Sequence, residues 1–537
     1  MQHSTKQRKY SSTLRDQAGQ IELAVVNDLA PTSLPTELLE QIFLFLVSGW
    51  HDTVYHQVDR YMCTVHVIAV SHVCHRWRAI ALGYSALWTY ISPFQIGYDW
   101  AKEILTRSKG APLTLDIHRI VSQDDANLHL AREHLNHTCT LIVSGRTQAI
   151  LGYPSCPAPL LESILFIDTT VPYRLHADRI PYHTIVRFKT SALRKLVLGS
   201  IVTLDGTDST TIKDLSHLDI RNTTLRSISR GISVLHGSSS LKSLALEVTD
   251  FFTSAAFPII TLPALMSIRL GGTASGCFCL LMRIRAPSVK AFTLDCWSRK
   301  KIDLPILLAA VSALRTQNVA HIVEAHRKPQ RLFISINEVV NFSQPIIIRL
   351  ADVGSIPDID AFCQKANKID WNPNWHMDLH YMQEHGSITP NALASACKTL
   401  FFDSVTDLTV QGISGSQELP FYRQLLEQMP ALRSLTVRHF GHSKSSASAI
   451  VKAIRPSKNL EMKQLSDLCF DRLHFKQSSK RSSGTHDITG LTKMFEKRDK
   501  MGLRLPSLTL IRCSSSPKEG LKSLKDNVIR MGVNCSM

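Results

Sequence analysis

The sequence predicts a chain of mixed structure, of the α+β or α/β class, in which a small N-terminal helical domain precedes a larger region of repeated short strands. Apolar residues recur at helical spacing between Leu34 and Trp88, and a different apolar pattern begins at Leu161 and returns about every 24 residues between Leu193 and Val289. A chain of 537 residues is also too long for a single small domain. We therefore expect two folded regions with different roles.

The first predicted helix begins close to Leu34. Pro35 suits the first position of a helix, where its missing N–H group costs nothing. Glu37 places a negative charge at the positive end of the helix dipole. The apolar residues that follow are expected to form one stripe along this helix: Leu38, Leu39, Ile42, Phe43 and Leu46.

A second apolar run follows a polar interval that extends from Ser48 to about Met62. The interval contains Trp50, Tyr55 and Tyr61, so the register of a middle helix stays open. Two or three short helices must pack together within about 55 residues, which is near the lower limit for an independent core. Such a bundle gains stability from a partner that covers its remaining apolar surface. The second run is expected to lie on a single helix face: Val70, Val73, Cys74, Trp77, Ile80 and Ala81.

These two runs together resemble an F-box. The resemblance is carried by Leu-Pro-x-Glu-Leu-Leu-x-x-Ile-Phe from Leu34, by Val-Cys-x-x-Trp-x-x-Ile-Ala from Val73, and by a trailing Leu87-Trp88. It is greatest to F-box proteins of mushroom-forming fungi, in which a segment similar to residues 107–115 follows the box. The resemblance implies docking on the Skp-type adaptor of a cullin-based ubiquitin ligase, called SCF, while the rest of the chain captures a protein substrate. Catalysis would then belong to other subunits.

By motif position, the resemblance assigns a set of residues either to adaptor contact or to the helix packing that supports it, and the sequence does not separate these two roles. An ordinary helical hairpin without an adaptor remains the alternative. The residues are Leu34, Pro35, Leu38, Leu39, Ile42, Phe43, Leu46, Val70, Val73, Cys74, Trp77 and Ile80.

The larger region repeats the pattern apolar, two others, apolar, one other, apolar. From Leu193 to Val289 successive units start 22, 26, 24 and 24 residues apart, within the 20 to 29 residues of leucine-rich repeats. Only Cys513 occupies the position where such a repeat usually has Asn or Cys, so we expect a degenerate, irregular leucine-rich-repeat-like solenoid. A mixed α/β domain whose strands share this signature is the alternative. The units start at Leu161, Leu193, Leu215, Leu241, Leu265, Val289, Val405, Leu432, Leu465 and Leu505.

An irregular insertion is expected around residues 300–400, where the pattern breaks. Leu304 to about Glu324 indicates a helix, and strands are predicted at Leu332–Ile336, Ile346–Leu350 and Trp375–Tyr381. The last strand places His376, Asp378 and His380 on one face with His385 nearby, the only constellation that resembles a metal site. Solvated polar strand faces are far commoner, so we expect neither metal nor cofactor.

Composition limits the remaining classes of function. The first residues are polar and basic, unlike a signal peptide or membrane anchor, which predicts a soluble protein in the cytoplasm, the nucleus or both. Twelve cysteines without a Cys-x-x-Cys pair indicate reduced core residues. Common local enzyme signatures are missing, so the chain is expected to be non-catalytic. The predicted division is a disordered segment 1–30, an F-box-like domain 31–92, a helical linker 93–112, a substrate-binding repeat domain 113–513 and a tail 514–537.

The chain is basic, with 61 Lys and Arg against 44 Asp and Glu and a net charge of +17. This charge attracts acidic protein surfaces, or nucleic acid at low salt. The densest basic runs, residues 6–9 and 476–481, are not interleaved with aromatic residues, which makes nucleic-acid binding the less favoured choice. The sequence thus predicts a substrate receptor with a Skp-type adaptor, cullin and a protein substrate as partners. The alternative is an F-box repeat scaffold that acts outside any ligase, in the nucleus and in association with nucleic acid.

Overall fold

A computed structural model describes these residues of the chain: 34–48, 67–118, 126–144, 157–167, 180–181, 192–199, 202–203, 214–223, 238–248, 259–298, 304, 306–311, 331–336, 344–351, 376–383, 402–411, 418–438, 448–456, 462–476, 487–516 and 520–536. The predicted disordered segment 1–30 lies outside them. The chain divides into two compact units. The first unit comprises residues 1–175 and 184–193, and the second comprises residues 176–183 and 194–537.

The first unit joins the N-terminal helices to a small parallel sheet. Residues 67–71 are also helical, and Ser85–Trp88 and Leu135–His137 form 3-10 turns. Its other described elements are, in chain order, α1 (Thr36–Ser48), α2 (His75–Gly83), β1 (Tyr90–Ile91), α3 (Pro93–Ile96), α4 (Tyr98–Ser108), β2 (Leu113–His118), α5 (Ala126–Glu133), β3 (Thr138–Ser144) and β4 (Ser163–Ile167).

The second apolar run of the sequence forms two helices, so the single helix face predicted from Val70 to Ala81 is wrong. The helix at residues 67–71 ends in a turn at His72. Cys74 then caps α2 with extended backbone, and its Sγ accepts a hydrogen bond from the amide of Trp77 over 3.4 Å. A cap of this kind satisfies one of the amides that a helix start leaves without an intrahelical partner. The direction of the chain therefore changes between Val70 and Trp77.

The strands of the first unit run parallel, β1 beside β2, β2 beside β3 and β3 beside β4. Leu115, Leu141 and Ile164 are aligned across β2, β3 and β4, and all three are buried. Buried side chains also line the segment between the box and the sheet, where Ala101 and Ile104 of α4 are at most 1% exposed. Residues 93–112, predicted as a helical linker, are thus helical but packed. The first strands share a compact unit with the helices, which differs from the predicted domain start at residue 113.

The second unit is built on a long, mostly parallel sheet. Short strand pairs, Ile180–Pro181 with Val202–Thr203, Ile260–Thr261 with Ile284–Arg285, and His474–Lys476 with Ser514–Ser516, accompany it. The main strands are β5 (Lys195–Leu198), β6 (His217–Thr223), β7 (Ser243–Val248), β8 (Ser267–Thr273), β9 (Ala291–Ser298), β10 (Arg331–Ile336), β11 (Gln344–Ala351), β12 (His376–Gln383), β13 (Asp407–Gln411), β14 (Ser434–Arg438), β15 (Asp467–Asp471), β16 (Ser507–Ile511) and β17 (Asn534–Ser536). The helices are α6 (Ala274–Leu281), α7 (Glu418–Leu426), α8 (Ser448–Ala453), α9 (Asp487–Lys500) and α10 (Gly520–Arg530).

Each repeat of the apolar pattern from Leu193 onward contains one of these strands, and the repeats whose strands are paired in parallel are aligned in phase. Strands β5 to β9 pair in parallel, and so do β13 to β17. Because the apolar positions of a strand alternate, this phase keeps all of them on one face of the sheet. One aligned and buried row consists of Leu196, Leu218, Leu244, Ile268 and Phe292, and another of Leu408, Leu435, Leu468 and Leu508.

The irregular middle segment adds three strands in reverse order, so that the sheet runs β9, β12, β11, β10, β13. Strand β11 is antiparallel to both of its neighbours, whereas β12 is parallel to β9 and β10 is parallel to β13. All three predicted strands are present. Of the helix predicted from Leu304, residues 304 and 306–311 are helical, and the others lie outside the described residues.

The residues assigned in the sequence to a C-terminal tail, 514–537, contain two short strands and a helix. Helix α10 follows the short strand Ser514–Ser516, and β17 then pairs with β16. Leu524 and Val528 of α10 are fully buried. These two apolar residues lie one helical turn apart in the sequence, and this spacing is a signal from which the helix could have been predicted.

Arg498 is a buried cation that connects α9 by hydrogen bonds to the loops that contain Met462 and Leu503. Its side chain is 1% exposed, its Nε donates to the carbonyl of Leu503 over 3.0 Å, and a terminal nitrogen donates to the carbonyl of Met462 over 2.9 Å. Burial lowers the pKa of this guanidinium. The two carbonyls compensate part of the cost of burying the charge.

We expect Arg498→Met to lower the free energy of unfolding of the second unit by about 2 kcal/mol, because the apolar stem is kept while two buried carbonyls lose their donor. Urea unfolding followed by circular dichroism measures the change. Arg504→Met is the matched control, since Arg504 is 78% exposed and pairs only at the surface with Asp499. Equal midpoints for both variants would contradict this role of Arg498.

Candidate functional site

Helix α1 carries apolar side chains on two faces. Leu39 and Phe43, one helical turn apart, are 0% exposed. Leu38 and Ile42, which are also one turn apart, are 45% and 41% exposed. The apolar stripe predicted for this helix is therefore split, because only one side of the helix faces the core.

The buried face of α1 packs on α2. The rings of Phe43 and Trp77 lie 5.0 Å apart between centroids with an interplanar angle of 59°, a tilted arrangement favourable for aromatic pairs. The core continues to Trp88, whose Nε1 donates to the carbonyl of Ala81 over 2.7 Å. The Arg107 guanidinium lies 4.6 Å from the centre of the Trp88 ring. These contacts hold the helices at fixed positions beneath the exposed face.

The exposed apolar face of α1 consists of Leu38, Ile42, Phe45 and Leu46. Phe45 is 77% exposed and Leu46 is 42% exposed. Phe45 lies three residues after Ile42 and seven after Leu38. Helical spacing alone therefore places Phe45 on the same face of α1, although the F-box-like motif does not include it. A continuous group of large exposed apolar side chains is typical of a surface that binds another molecule.

The start of α2 lies beside the start of α1. The Arg76 guanidinium donates a hydrogen bond to the carbonyl of Leu34. Val73, which is 58% exposed, and the exposed Cys74 immediately precede α2, so they lie at the end of the helix pair that also holds Pro35. The exposed apolar face therefore extends from α1 toward the turn before α2.

The residues predicted for contact or packing divide by burial. Leu39, Phe43 and Val70 are buried, and Leu34, Trp77 and Ile80 are partly buried. The remaining six are exposed: Pro35, Leu38, Ile42, Leu46, Val73 and Cys74. Burial thus separates positions suited to helix packing from positions accessible to a partner.

A second accessible surface lies on the sheet of the second unit, opposite the buried rows. Asp219 and Arg221 alternate with buried residues of β6, and the Arg221 side chain donates to the Asp219 carboxylate over 2.7 to 3.2 Å. Arg269 of β8 pairs with Asp295 of β9 at 2.8 Å. Gly271 leaves room for Glu247, since a Cβ there would lie 3.3 Å from the Glu247 Cγ. This outer face is polar and carries both signs of charge.

The predicted metal constellation falls on β12, where His376, Asp378 and His380 occupy alternate backbone positions. Their side chains and His385 lie outside the described residues. Among the residues that the structure does describe, no group of three or more His, Cys, Asp or Glu side chains is arranged to hold a metal ion.

None of the helices in the described part of the chain is long and apolar enough to cross a lipid bilayer.

Comparison with known proteins finds a match for the helical region. A search of curated proteins finds no relative of the chain. The described helices α1 and α2, the turn between Val70 and Cys74 and the 3-10 turn that ends at Trp88 all fall within residues 32–93. These residues match the model of the F-box-like family, and the chain therefore carries an F-box-like domain.

Proposed function

We propose that this chain is an F-box substrate receptor, which docks on a Skp-type adaptor and recruits a protein substrate to an SCF ubiquitin ligase. The observation that supports this most directly is the exposed apolar face of α1, because it lies within the F-box-like domain. Large apolar side chains in water are a cost that a bound partner removes. The adaptor is the partner that such a domain suggests, and cullin would be reached through it.

Within this proposal, adaptor contact is assigned to the exposed members of the predicted set and to Phe45, which the motif did not include. The buried members Leu39, Phe43 and Val70 are assigned to helix packing. Residues 107–115 support a place among the box proteins of mushroom-forming fungi.

Substrate capture is assigned to the second unit, as a degenerate leucine-rich-repeat-like domain. Support comes from the aligned parallel strands, which follow the period of the apolar pattern, and from the polar outer face of the sheet. The mechanism is proximity, since holding a substrate lysine near a charged conjugating enzyme raises its local concentration. No residue of this chain reacts, so we propose a non-catalytic subunit that acts in the cytoplasm, the nucleus or both.

Co-purification of the full chain with a Skp-type adaptor tests the proposal. We expect Ile42→Asp combined with Leu46→Asp to abolish capture, because two carboxylates would be buried without partners in the interface. The melting temperature should stay within a few degrees, since both side chains are exposed in the free chain.

Met266→Asp combined with Ile529→Asp is the matched control, because these residues lie in the second unit and are 46% and 49% exposed. The control should capture the adaptor as the wild type does. A well-folded wild type that captures no adaptor, or a control that fails as completely as the α1 variant, would contradict the proposal.

A further inference from the structure

Four charged residues meet at the carboxyl ends of three neighbouring strands. Arg438 ends β14 and is aligned with Asp471, which ends β15, while Arg472 and Arg512 directly follow β15 and β16. We call these four residues the arginine cluster. The three arginines lie 34 and 40 residues apart in the sequence, so only the alignment of the parallel strands brings them together.

Asp471 lies at the centre of the arginine cluster. Its Oδ2 is 3.1 Å from a terminal nitrogen of Arg512 and 3.7 Å from the Nε of Arg438, and its Oδ1 is 3.9 Å from the Nε of Arg472. One carboxylate therefore faces three guanidinium groups. The cluster keeps two positive charges in excess.

The excess charge lies on the accessible side of the arginine cluster. The side chains of Asp471 and Arg438 are only 5% and 10% exposed, whereas those of Arg472 and Arg512 are 40% and 59% exposed. Asp471 therefore accepts a hydrogen bond from Arg512 and lies within ion-pair distance of Arg472, and both arginines reach the surface. A guanidinium carries five N–H donors in a planar fork that matches the oxygens of a carboxylate or a phosphate.

The backbone also fixes the two accessible arginines. Arg472 and Arg512 have φ angles of 60° and 50°, in the left-handed region that L-residues other than glycine seldom adopt. The amide of Arg472 donates to the carbonyl of Ile511 over 2.8 Å, and the amide of Ser514 donates to that of Leu473 over 3.0 Å. Two neighbouring strand ends therefore hold the same unusual conformation side by side, which is typical of positions fixed for a function.

The surrounding region is basic as well. Residues 402–537 contain 22 Lys and Arg but 12 Asp and Glu, so this quarter of the chain carries most of the net charge of +17. An approaching anionic group is attracted by the region as a whole and then bound by the fork-like donors of the arginine cluster.

We propose that the arginine cluster binds an acidic segment of a protein, with a carboxylate or phosphate group of that segment held by Arg472 and Arg512. The proposal deepens the proposed function, on which it rests, because it assigns a chemical class to the substrate. A peptide is favoured over single-stranded nucleic acid because the arginine cluster contains no aromatic side chain on which a base would stack. A DNA duplex, which is bound through its phosphates without such stacking, is distinguished by the experiment.

Fluorescence anisotropy of the full chain with labelled peptide pools tests the proposal. The pools share the same degenerate sequence and carry phosphoserine, glutamate or serine at the fixed central position, and a labelled DNA duplex is the further probe. We expect the phosphoserine or glutamate pool to bind more tightly than the serine pool, and their difference identifies which oxyanion is preferred. Arg472→Gln combined with Arg512→Gln should weaken this binding at least about tenfold, since charge-assisted hydrogen bonds are lost.

Arg504→Gln combined with Arg530→Gln is the control, because both residues are exposed in the same unit and the change in net charge is identical. This control should weaken binding less than about twofold, because the two charges that it removes lie outside the arginine cluster and are screened by salt. Three results would overturn the proposal. The first is an equal loss of peptide affinity in both double variants, and the second is equal binding of the anionic and serine pools. The third is tighter binding of the DNA duplex than of the peptides, with an equal loss of affinity in both variants. Adaptor capture, measured on the same preparations, stays unchanged in either case and reports separately on the proposed function.

Discussion

Phe43→Ala is expected to lower the free energy of unfolding of the first unit by about 3–5 kcal/mol. The Phe43 side chain is 0% exposed and its ring contacts that of Trp77, so the substitution removes buried apolar surface and leaves a cavity between α1 and α2. A small helical region has little stability in reserve, and we expect adaptor capture to be lost together with the fold. Urea unfolding followed by tryptophan fluorescence measures the change.

Phe45→Ala provides the matched control for Phe43→Ala, with the same substitution two residues further along the same helix. Phe45 is 77% exposed, so its loss should change stability by no more than about 0.5 kcal/mol. Adaptor capture should nevertheless weaken, because Phe45 belongs to the exposed apolar face of α1. If Phe43→Ala left the unfolding midpoint unchanged, the two-faced arrangement of α1 would be wrong.

Asp471→Ala is expected to destabilise the second unit by about 3–5 kcal/mol, because three guanidinium groups, among them that of the nearly buried Arg438, would lose the buried carboxylate that they face. The side chains of Asp471 and Arg438 are 5% and 10% exposed, so water compensates little of this loss. Chemical denaturation of the full chain, followed by circular dichroism, measures the effect.

The surface pair of Asp499 and Arg504 gives the control for Asp471→Ala. Its atoms approach to 2.6 Å, closer than any contact of Asp471, but the side chains are 44% and 78% exposed. Asp499→Ala should therefore cost no more than about 1 kcal/mol. A smaller effect for Asp471→Ala than for Asp499→Ala would show that burial does not govern the contribution of these carboxylates.

The strands were largely predictable from the sequence because their signal is local. Each unit repeats two apolar residues at alternate positions of a strand, and every such unit contains a strand. Strand β3 escaped prediction for a physical reason. The position that is apolar elsewhere is Thr138, which is fully buried and donates its hydroxyl to the carbonyl of His134 over 2.8 Å. A buried, hydrogen-bonded threonine thus occupies the first apolar position of the repeat, and the repeated apolar pattern cannot be recognised in the sequence of β3.

The division of α1 into two faces was not predictable, because its apolar residues form one broad stripe and the sequence does not show which part of that stripe contacts α2. Only contact with α2 distinguishes Leu39 from Leu38. The arginine cluster was hidden for another reason. Its members belong to three separate strands, and nothing in the local sequence of Arg438, Arg472 or Arg512 reports which strands become neighbours.

The reversed strand order between β9 and β13 affects how this chain can change in evolution. The inserted segment consists of β12, β11 and β10, which lie between β9 and β13. Because β12 is parallel to β9 and β10 is parallel to β13, the strands at both ends of this three-strand excursion run in the same direction as the strands that flank it. Its apolar rows also keep phase, with Leu294, Leu379, Ile348, Ile334 and Val410 aligned. The excursion is therefore a self-contained cassette. In a descendant without these three strands, β9 and β13 would have the direction and the phase needed to pair directly. The number of strands in the sheet can therefore change in evolution while the strands on either side are preserved.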